Sequence, residues 1–278
     1  MVLTIAYQGE PGSNSAAACT EMYTESVQIP CETFTEALDT VKRGQADVAV
    51  IPVDNSIAGR VADVHHLLPS SGLTITQEHF LPIHFDLMVR PGVALDDVRS
   101  VRSHVHALAQ CRNIINAHDW KAIVTHDTAG AAREVAQGGD ATEAALAPPA
   151  AAGLYDLTVL KSGVEDNPDN TTRFLAVTGN PPPVAHTGQK MITTIFFEVR
   201  NIPSSLYKAL GGFASNGVNL TKIESYQNSS FTATEFYVDA EGHPEDPHVA
   251  LALEELRFFS SQMKMLGVYP ASPSRLKH

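Results

Sequence analysis

The run Asp169-Asn170-Thr171-Thr172-Arg173-Phe174 sets an amide, two hydroxyls and a guanidinium side by side. Arginine grips a carboxylate with two parallel N–H donors, a fork that the point charge of lysine cannot copy. With hydroxyls beside it, the run fits a site for a dicarboxylic acid. The competing reading is a turn followed by a surface salt bridge at the start of a strand. A second cluster, Asp54-Asn55-Ser56, follows the apolar stretch 46–52. Ligands of open α/β sheets bind outside the carboxyl ends of the strands. Asn and Ser placed there can donate to a carboxylate, and the same residues also cap helices.

Other polar groups read as structural. His104 and His106 share a face, with His65, His66, His79 and His84 nearby in sequence. A zinc site needs about four ligands in a tetrahedral array. No matched spacing supplies them, so the histidines read as surface or packing residues and no metal is expected. Cys19, Cys31 and Cys111 are too scattered for a disulfide framework or a metal site, which fits a reducing cytoplasm. Trp120 reads as packing. The acidic stretch 241–246, broken by Gly242 and Pro244, reads as a solvated turn.

The elements that must position these residues alternate along the first part of the chain. Strand patterns fall at 3–7, 46–52, 98–101, 122–125, 144–147 and 174–177, with two strand-like runs inside 73–89. Helical patterns fall at 17–26, 35–43, 105–115 and 128–137. This order predicts an α/β fold with a mainly parallel sheet. Pro181-Pro182-Pro183 and the polar residues to Lys190 read as a linker. Beyond it come a strand at 193–199, a helix at 203–215 stopped by Gly217, and strands at 219–226 and 231–238. A helix at 249–265 and a strand at 266–269 complete a βαββαβ, ferredoxin-like unit. The boundary is set near residue 186, giving domains 1–186 and 187–278.

The chain has 278 residues, of which 44% are hydrophobic and 18% charged, as expected of a globular protein that buries its own core. A net charge of −12 argues against a nucleic-acid partner, which needs a basic surface. The N-terminus lacks a basic n-region and reads as a strand, not a signal peptide. No stretch is long and apolar enough to span a bilayer, so no membrane partner is expected.

Several runs match one family in register. Tyr7-Gln8-Gly9-Glu10-Pro11-Gly12-Ser13, Val50 through Gly59, Ser103-His104 with Gln110-Cys111, Asp127 through Ala132, and Thr171-Thr172-Arg173-Phe174 together resemble the signatures of prephenate dehydratases. The resemblance covers essentially the whole chain. It implies a two-lobed catalytic domain like the type II periplasmic binding proteins, followed by an ACT regulatory domain. Lobe one would hold residues near 1–78 plus a returning segment near 160–180, and lobe two the middle. It implies decarboxylative dehydration of prephenate to phenylpyruvate without a cofactor, in a cytoplasmic homodimer or homotetramer inhibited by L-phenylalanine. Thr172 and Arg173 would then be catalytic, with Gln8, Ser13, Asn55, Ser56, Asn170, Thr171 and Phe174 binding substrate. Asn216, Gly217, Val218, Asn219, Leu220, Glu224 and Ser225 would hold the effector. Asp54 stands where the family more often has Glu. Ser204-Ser205-Leu206-Tyr207 and Glu224-Ser225-Tyr226-Gln227 depart from the usual effector motifs. Arogenate is the rival substrate, and a non-catalytic small-molecule binder is the rival class.

Overall fold

The computed structural model describes residues 2–138, 140–182, 184–227 and 232–277. Pro183 of the expected linker and Phe231 of the expected strand lie outside them. The chain forms two compact units, residues 1–65 with 79–174, and residues 66–78 with 175–278.

The first unit opens with β1 (Leu3–Gln8), α1 (Asn14–Met22), β2 (Ser26–Cys31), α2 (Phe34–Lys42), β3 (Val48–Asn55), the short β4 (Gly59–Arg60) and the start of α3 (Ala62–Ser71). β5 (Thr74–Pro82) begins in the second unit and leads back into the first. There follow β6 (Asp86–Val89), β7 (Ser100–His104), α4 (Val105–Gln110), α5 (Arg112–Ala117), β8 (Lys121–Thr125), α6 (Thr128–Gln137), β9 (Glu143–Ala147), α7 (Ala150–Leu154) and β10 (Thr158–Lys161). β11 (Thr171–Thr178) runs out again into the second unit.

Two sheets make the two lobes of this α/β unit. In lobe one the strands run β11-β3-β1-β2, and β1 pairs in parallel with β2 and β3. The first four residues of β3 are all buried, as a strand covered on both faces must be. In lobe two the order is β10-β6-β9-β7-β8, parallel around β7 and antiparallel on both sides of β6. The sheet is therefore mixed where a mainly parallel one was expected. β10 belongs to lobe two, so the return to lobe one begins after Lys161. The two segments joining the lobes touch where the Ile83 N–H donates to the Asn170 carbonyl at 2.8 Å.

Side chains from outside the helices set several boundaries. Ser13 caps α1 and so starts that helix at Asn14; it ends at Met22, where Tyr23 turns extended, and Ser26 starts a strand that periodicity alone assigns to helix. The expected helix 105–115 is broken at Cys111. The Asp166 carboxylate accepts from the Arg112 and Asn113 N–H groups at 2.9 and 3.0 Å and so caps a second helix, α5. Helix α3 went unrecognised because Pro69 interrupts its pattern.

In the second unit, β12 (Met191–Val199), α8 (Ser205–Ser215), β13 (Leu220–Gln227), β14 (Ala233–Glu241), α9 (Pro247–Phe259) and β15 (Ser260–Pro270) form the βαββαβ fold, with strand order β13-β14-β12-β15. α9 stops at Phe259, six residues before the expected end, because residues 260–265 pair with β12; sheet partners override helical spacing. Ile195, Phe197, Phe213, Val238, Leu253 and Leu256 form the core with the two helices on it. Each such side chain is worth roughly 1.5–3 kcal/mol on burial. Gly212 lets α8 approach α9, since a Cβ there would lie 2.7 Å from that of Glu255.

Candidate functional site

Asn55 ends β3, and its side-chain Oδ1 accepts from the backbone N–H groups of Ile57 and Ala58 at 3.0 and 2.7 Å. Two donors on that oxygen fix the amide orientation, so Nδ2 must face the other way. It donates to Asn170 Oδ1 at 2.7 Å and to Thr172 Oγ1 at 2.9 Å. Because Asn170 Oδ1 accepts, Asn170 Nδ2 is the donor to Gln110 Oε1 at 2.7 Å. One chain of neutral amides thus runs from lobe one, through the returning segment, to the end of α4 in lobe two.

The chain ends with hydrogen-bonding capacity to spare. Among the described residues nothing accepts the Thr172 hydroxyl proton, and nothing takes the Nε2 protons of Gln110. Asn170 and Thr172 are 1% and 9% exposed, so these donors sit in a site sheltered from bulk water. Residue type and motif do not distinguish Gln110 as a site residue; the amide orientation does. Ser56 and Thr171 are tied to each other: the Thr171 N–H donates to Ser56 Oγ at 2.9 Å, and the Ser56 N–H donates to the Thr171 carbonyl at 2.9 Å. They register β3 against β11. Phe174 is 1% exposed and packs in the core.

Successive strand residues point to opposite faces. Asn55 and Thr172 meet on one face, while Asp54 and Arg173 meet on the other, with Arg173 Nη1 3.6 Å from Asp54 Oδ2. Arg173 is 5% exposed, so the surface salt bridge weighed from sequence does not describe it. Asp54 Oδ1 lies 3.6 Å from Nε2 of the buried His65.

At the other end of the cleft, the loop 8–13 from lobe one meets α6 and α7 of lobe two. Arg133 grips Glu10 in a bidentate pair, Nε to Oε2 at 2.7 Å and Nη2 to Oε1 at 2.8 Å. That hydrogen bonding holds the Glu10 carboxyl below its ordinary range and raises Arg133. The Tyr155 hydroxyl donates to the Pro11 carbonyl at 2.9 Å. Gly12, at φ +84, has no room for a side chain against Ala151 without displacing it. A cavity of about 530 Å³ is lined here by Gln8, Gly9, Glu10, His126, Asp127 and Arg133 among others. Ser13 ends the loop as the α1 cap, its Oγ accepting from the Ala16 N–H at 3.3 Å.

His104 caps α4, and burial first, then His106, pushes its imidazolium toward the neutral form. Cys19 and Cys111 are buried thiols pushed up to about 12 by desolvation, so they are not thiolate nucleophiles at neutral pH. Among the described residues no group of His, Cys, Asp and Glu is arranged to hold a metal, and no helix is long and apolar enough to cross a membrane.

In the second unit, residues 216–220 form the turn from α8 into β13. The N–H groups of Asn216, Gly217 and Val218, expected to help hold an effector, instead donate back to the carbonyls of Gly212, Ala214 and Phe213. Asn219 accepts from the Glu241 N–H, and Leu220 pairs with Ala240. Glu224 lies beside Lys222 at 3.2 Å, and Ser225 is paired opposite Phe236.

The model of the prephenate dehydratase family matches residues 5–182. Over 274 residues the chain is 46% identical to a bifunctional N-acyl-homoserine lactone acylase/prephenate dehydratase from Komagataeibacter europaeus, covering 98% of each chain. It is 34% identical over 281 residues to the chloroplastic arogenate dehydratase/prephenate dehydratase 1 of Arabidopsis thaliana, covering 96% of this chain and 71% of that one. Among solved structures, prephenate dehydratase from Arthrobacter aurescens in complex with L-Phe is 34% identical with a TM-score of 0.88, covering 97% of this chain and 92% of that one.

Proposed function

Because the chain belongs to the prephenate dehydratase family, we propose that it converts prephenate to phenylpyruvate, carbon dioxide and water. The ring carboxylate leaves as carbon dioxide, and its electron pair flows into the ring. The ring hydroxyl departs from the opposite carbon and takes up one proton to become water. No cofactor is required, because aromatisation drives both departures. The observation that carries this reading is the Thr172 hydroxyl, which accepts from Asn55 Nδ2 and, among the described residues, has no acceptor for its own proton. A threonine is a weak acid, so it acts chiefly as a preorganised donor to the departing oxygen. Gln110 supplies a second donor from lobe two. Gln8 and Ser13 face the substrate from the loop 8–13. Arg173, paired with Asp54 on the opposite strand face, does not reach the substrate as the sequence suggested; it holds the strand ends that carry Thr172 and Asn55.

We divide the chain functionally at residue 186, with an ACT-type regulatory part at 187–278 that pairs with a second copy and takes L-phenylalanine at the 216–220 turn with Glu224 and Ser225. The L-Phe complex of the Arthrobacter relative supports the choice of effector. With the N–H groups of 216–218 engaged, the effector's carboxylate must find its donors elsewhere, and inhibition is expected to be weak. Pairing makes the assembly a closed dimer or tetramer, and three buried thiols outside any disulfide are compatible with a reducing cytoplasm.

The deciding experiment incubates the purified chain with prephenate and, separately, with arogenate, while following phenylpyruvate and phenylalanine. Phenylpyruvate formed faster from prephenate supports the proposal. Preference for arogenate moves the chain to the plant relatives' substrate, and turnover of neither leaves a binding protein. A third incubation, with an N-acyl-homoserine lactone, tests whether the acylase in the Komagataeibacter relative's name extends here.

A further inference from the structure

We propose that His65 is a positioning residue for the dehydratase reaction and that helix α3 couples it to the second unit. The proposal rests on the dehydratase and effector readings above. The His65 side chain is 1% exposed, and its Nε2 lies 3.1 Å from the Val53 carbonyl oxygen and 3.6 Å from Asp54 Oδ1. A carbonyl oxygen only accepts, so this nitrogen carries the ring proton. The same N–H faces the carboxylate of Asp54, whose other oxygen faces Arg173. His65 therefore holds the far side of the pair that flanks the site, one residue from Asn55 on β3 and one from Thr172 on β11. If the pair moves, the strand ends carrying Asn55 and Thr172 move with it.

The next residue turns to the other unit. His66 packs its ring on Tyr226 of β13, with centroids 5.3 Å apart and planes at 60°. Tyr226 directly follows Glu224 and Ser225, the residues assigned to the effector. The boundary between the compact units falls between His65 and His66, inside α3. Four residues after His65 comes Pro69, which has no N–H to give the His65 carbonyl in a regular helix turn. The helix is softened at the point where it passes from one unit to the other. Strain or order imposed at Tyr226 thus reaches His66 directly, and His65 within the same turn.

The test uses the full-length chain and three measurements: steady-state turnover of prephenate, inhibition by L-phenylalanine, and melting temperature. His65→Leu removes the donor at similar volume and is expected to lower kcat/KM at least about tenfold. His65→Gln can return an N–H to the same place and is expected to recover to within a few-fold. A role in packing alone would lower both variants together with their melting temperatures, and would overturn the positioning claim. His66→Ala is expected to leave basal kcat and KM unchanged while raising the L-phenylalanine concentration for half-inhibition at least about fivefold, the lower end of common coupling. Inhibition identical to wild type would overturn the coupling. A wild type that turns over prephenate but ignores L-phenylalanine sinks the effector reading and the coupling together, and the His65 pair alone decides the positioning. A wild type without turnover sinks the functional reading itself.

Discussion

In the first unit the buried polar cluster is neutral: Asn55, Asn170, Gln110 and Thr172 pass hydrogen bonds along a line of amides that ends in donors with no acceptor among the described residues. In the second unit it is charged. Glu78 and Asp239, both with wholly buried side chains, converge on Arg275 near the end of the chain. Arg275 donates from Nε and Nη2 to the two Glu78 oxygens at 2.6 and 2.9 Å, and from Nη1 to Thr221 Oγ1 at 2.9 Å. Thr194 Oγ1 donates to Asp239 Oδ1 at 2.7 Å, and the Ser272 N–H donates to Glu78. A cluster whose charges are satisfied from within holds the fold together. One that keeps donors in reserve at little cost in charge burial is prepared for something that arrives from outside.

Separating activity from stability would test that contrast. Thr172→Ala is expected to lower kcat about 10²–10⁴-fold with KM little changed, while the melting temperature stays close to wild type. A large loss of stability instead would make Thr172 structural, and the two clusters would be alike. Arg275→Ala is expected to do the reverse. It strands two buried carboxylates, at a cost of about 3–5 kcal/mol in urea unfolding, while the folded fraction keeps its turnover. Gln110→Ala removes a donor and leaves Asn170 without its acceptor, so kcat/KM should fall by about 5–100-fold, the equivalent of about 1–3 kcal/mol. Arg173→Lys should fail to restore function, because a point charge cannot hold the geometry of the Asp54 pair; recovery of kcat/KM to within a few-fold would show that charge alone suffices.

The smallest effect belongs to Glu10. Its pair with Arg133 is partly exposed, so Glu10→Gln should cost only about 0.2–1 kcal/mol at neutral pH. The Glu10 pKa is lowered in the folded protein. The pair's contribution is therefore complete above the ordinary carboxyl range and disappears as pH falls through the lowered value. Melting temperatures of wild type and Glu10→Gln should differ at neutral pH and converge in acid; a constant gap would show that the pair contributes nothing.

The sequence disclosed the site's components more readily than their roles. Thr172 and Asn55 could be picked out by residue type and motif, but that Asn55 spends its oxygen on the 57–58 turn and its nitrogen on Thr172 depends on contacts 117 residues apart. Gln110 was visible as a letter in a motif, while its orientation is transmitted through Asn170. Arg173 looked like an exposed fork because composition says nothing about which strand face a residue takes; alternation along β11 put it opposite Thr172. Buried strands such as β3 and well-capped helices such as α6 were legible because local pattern and tertiary burial agree. α3 and the start of β15 were not, since a proline and a strand partner, neither visible to a helical period, decide them.

The main chain passes between the compact units three times, inside α3, β5 and β11. At the level of the gene, the second unit is therefore not a cassette. A recombination breakpoint in the linker at 179–190 would carry away four strands and two helices but leave behind residues 66–78. The transferred piece would lack the strand that meets β15 at Gly267 and Ile75, and its Arg275 would arrive without Glu78. The piece left behind would keep a carboxylate whose guanidinium partner had gone. Lineages that exchange or shed this unit must change two separated stretches of coding sequence at once, so the two units are expected to descend together.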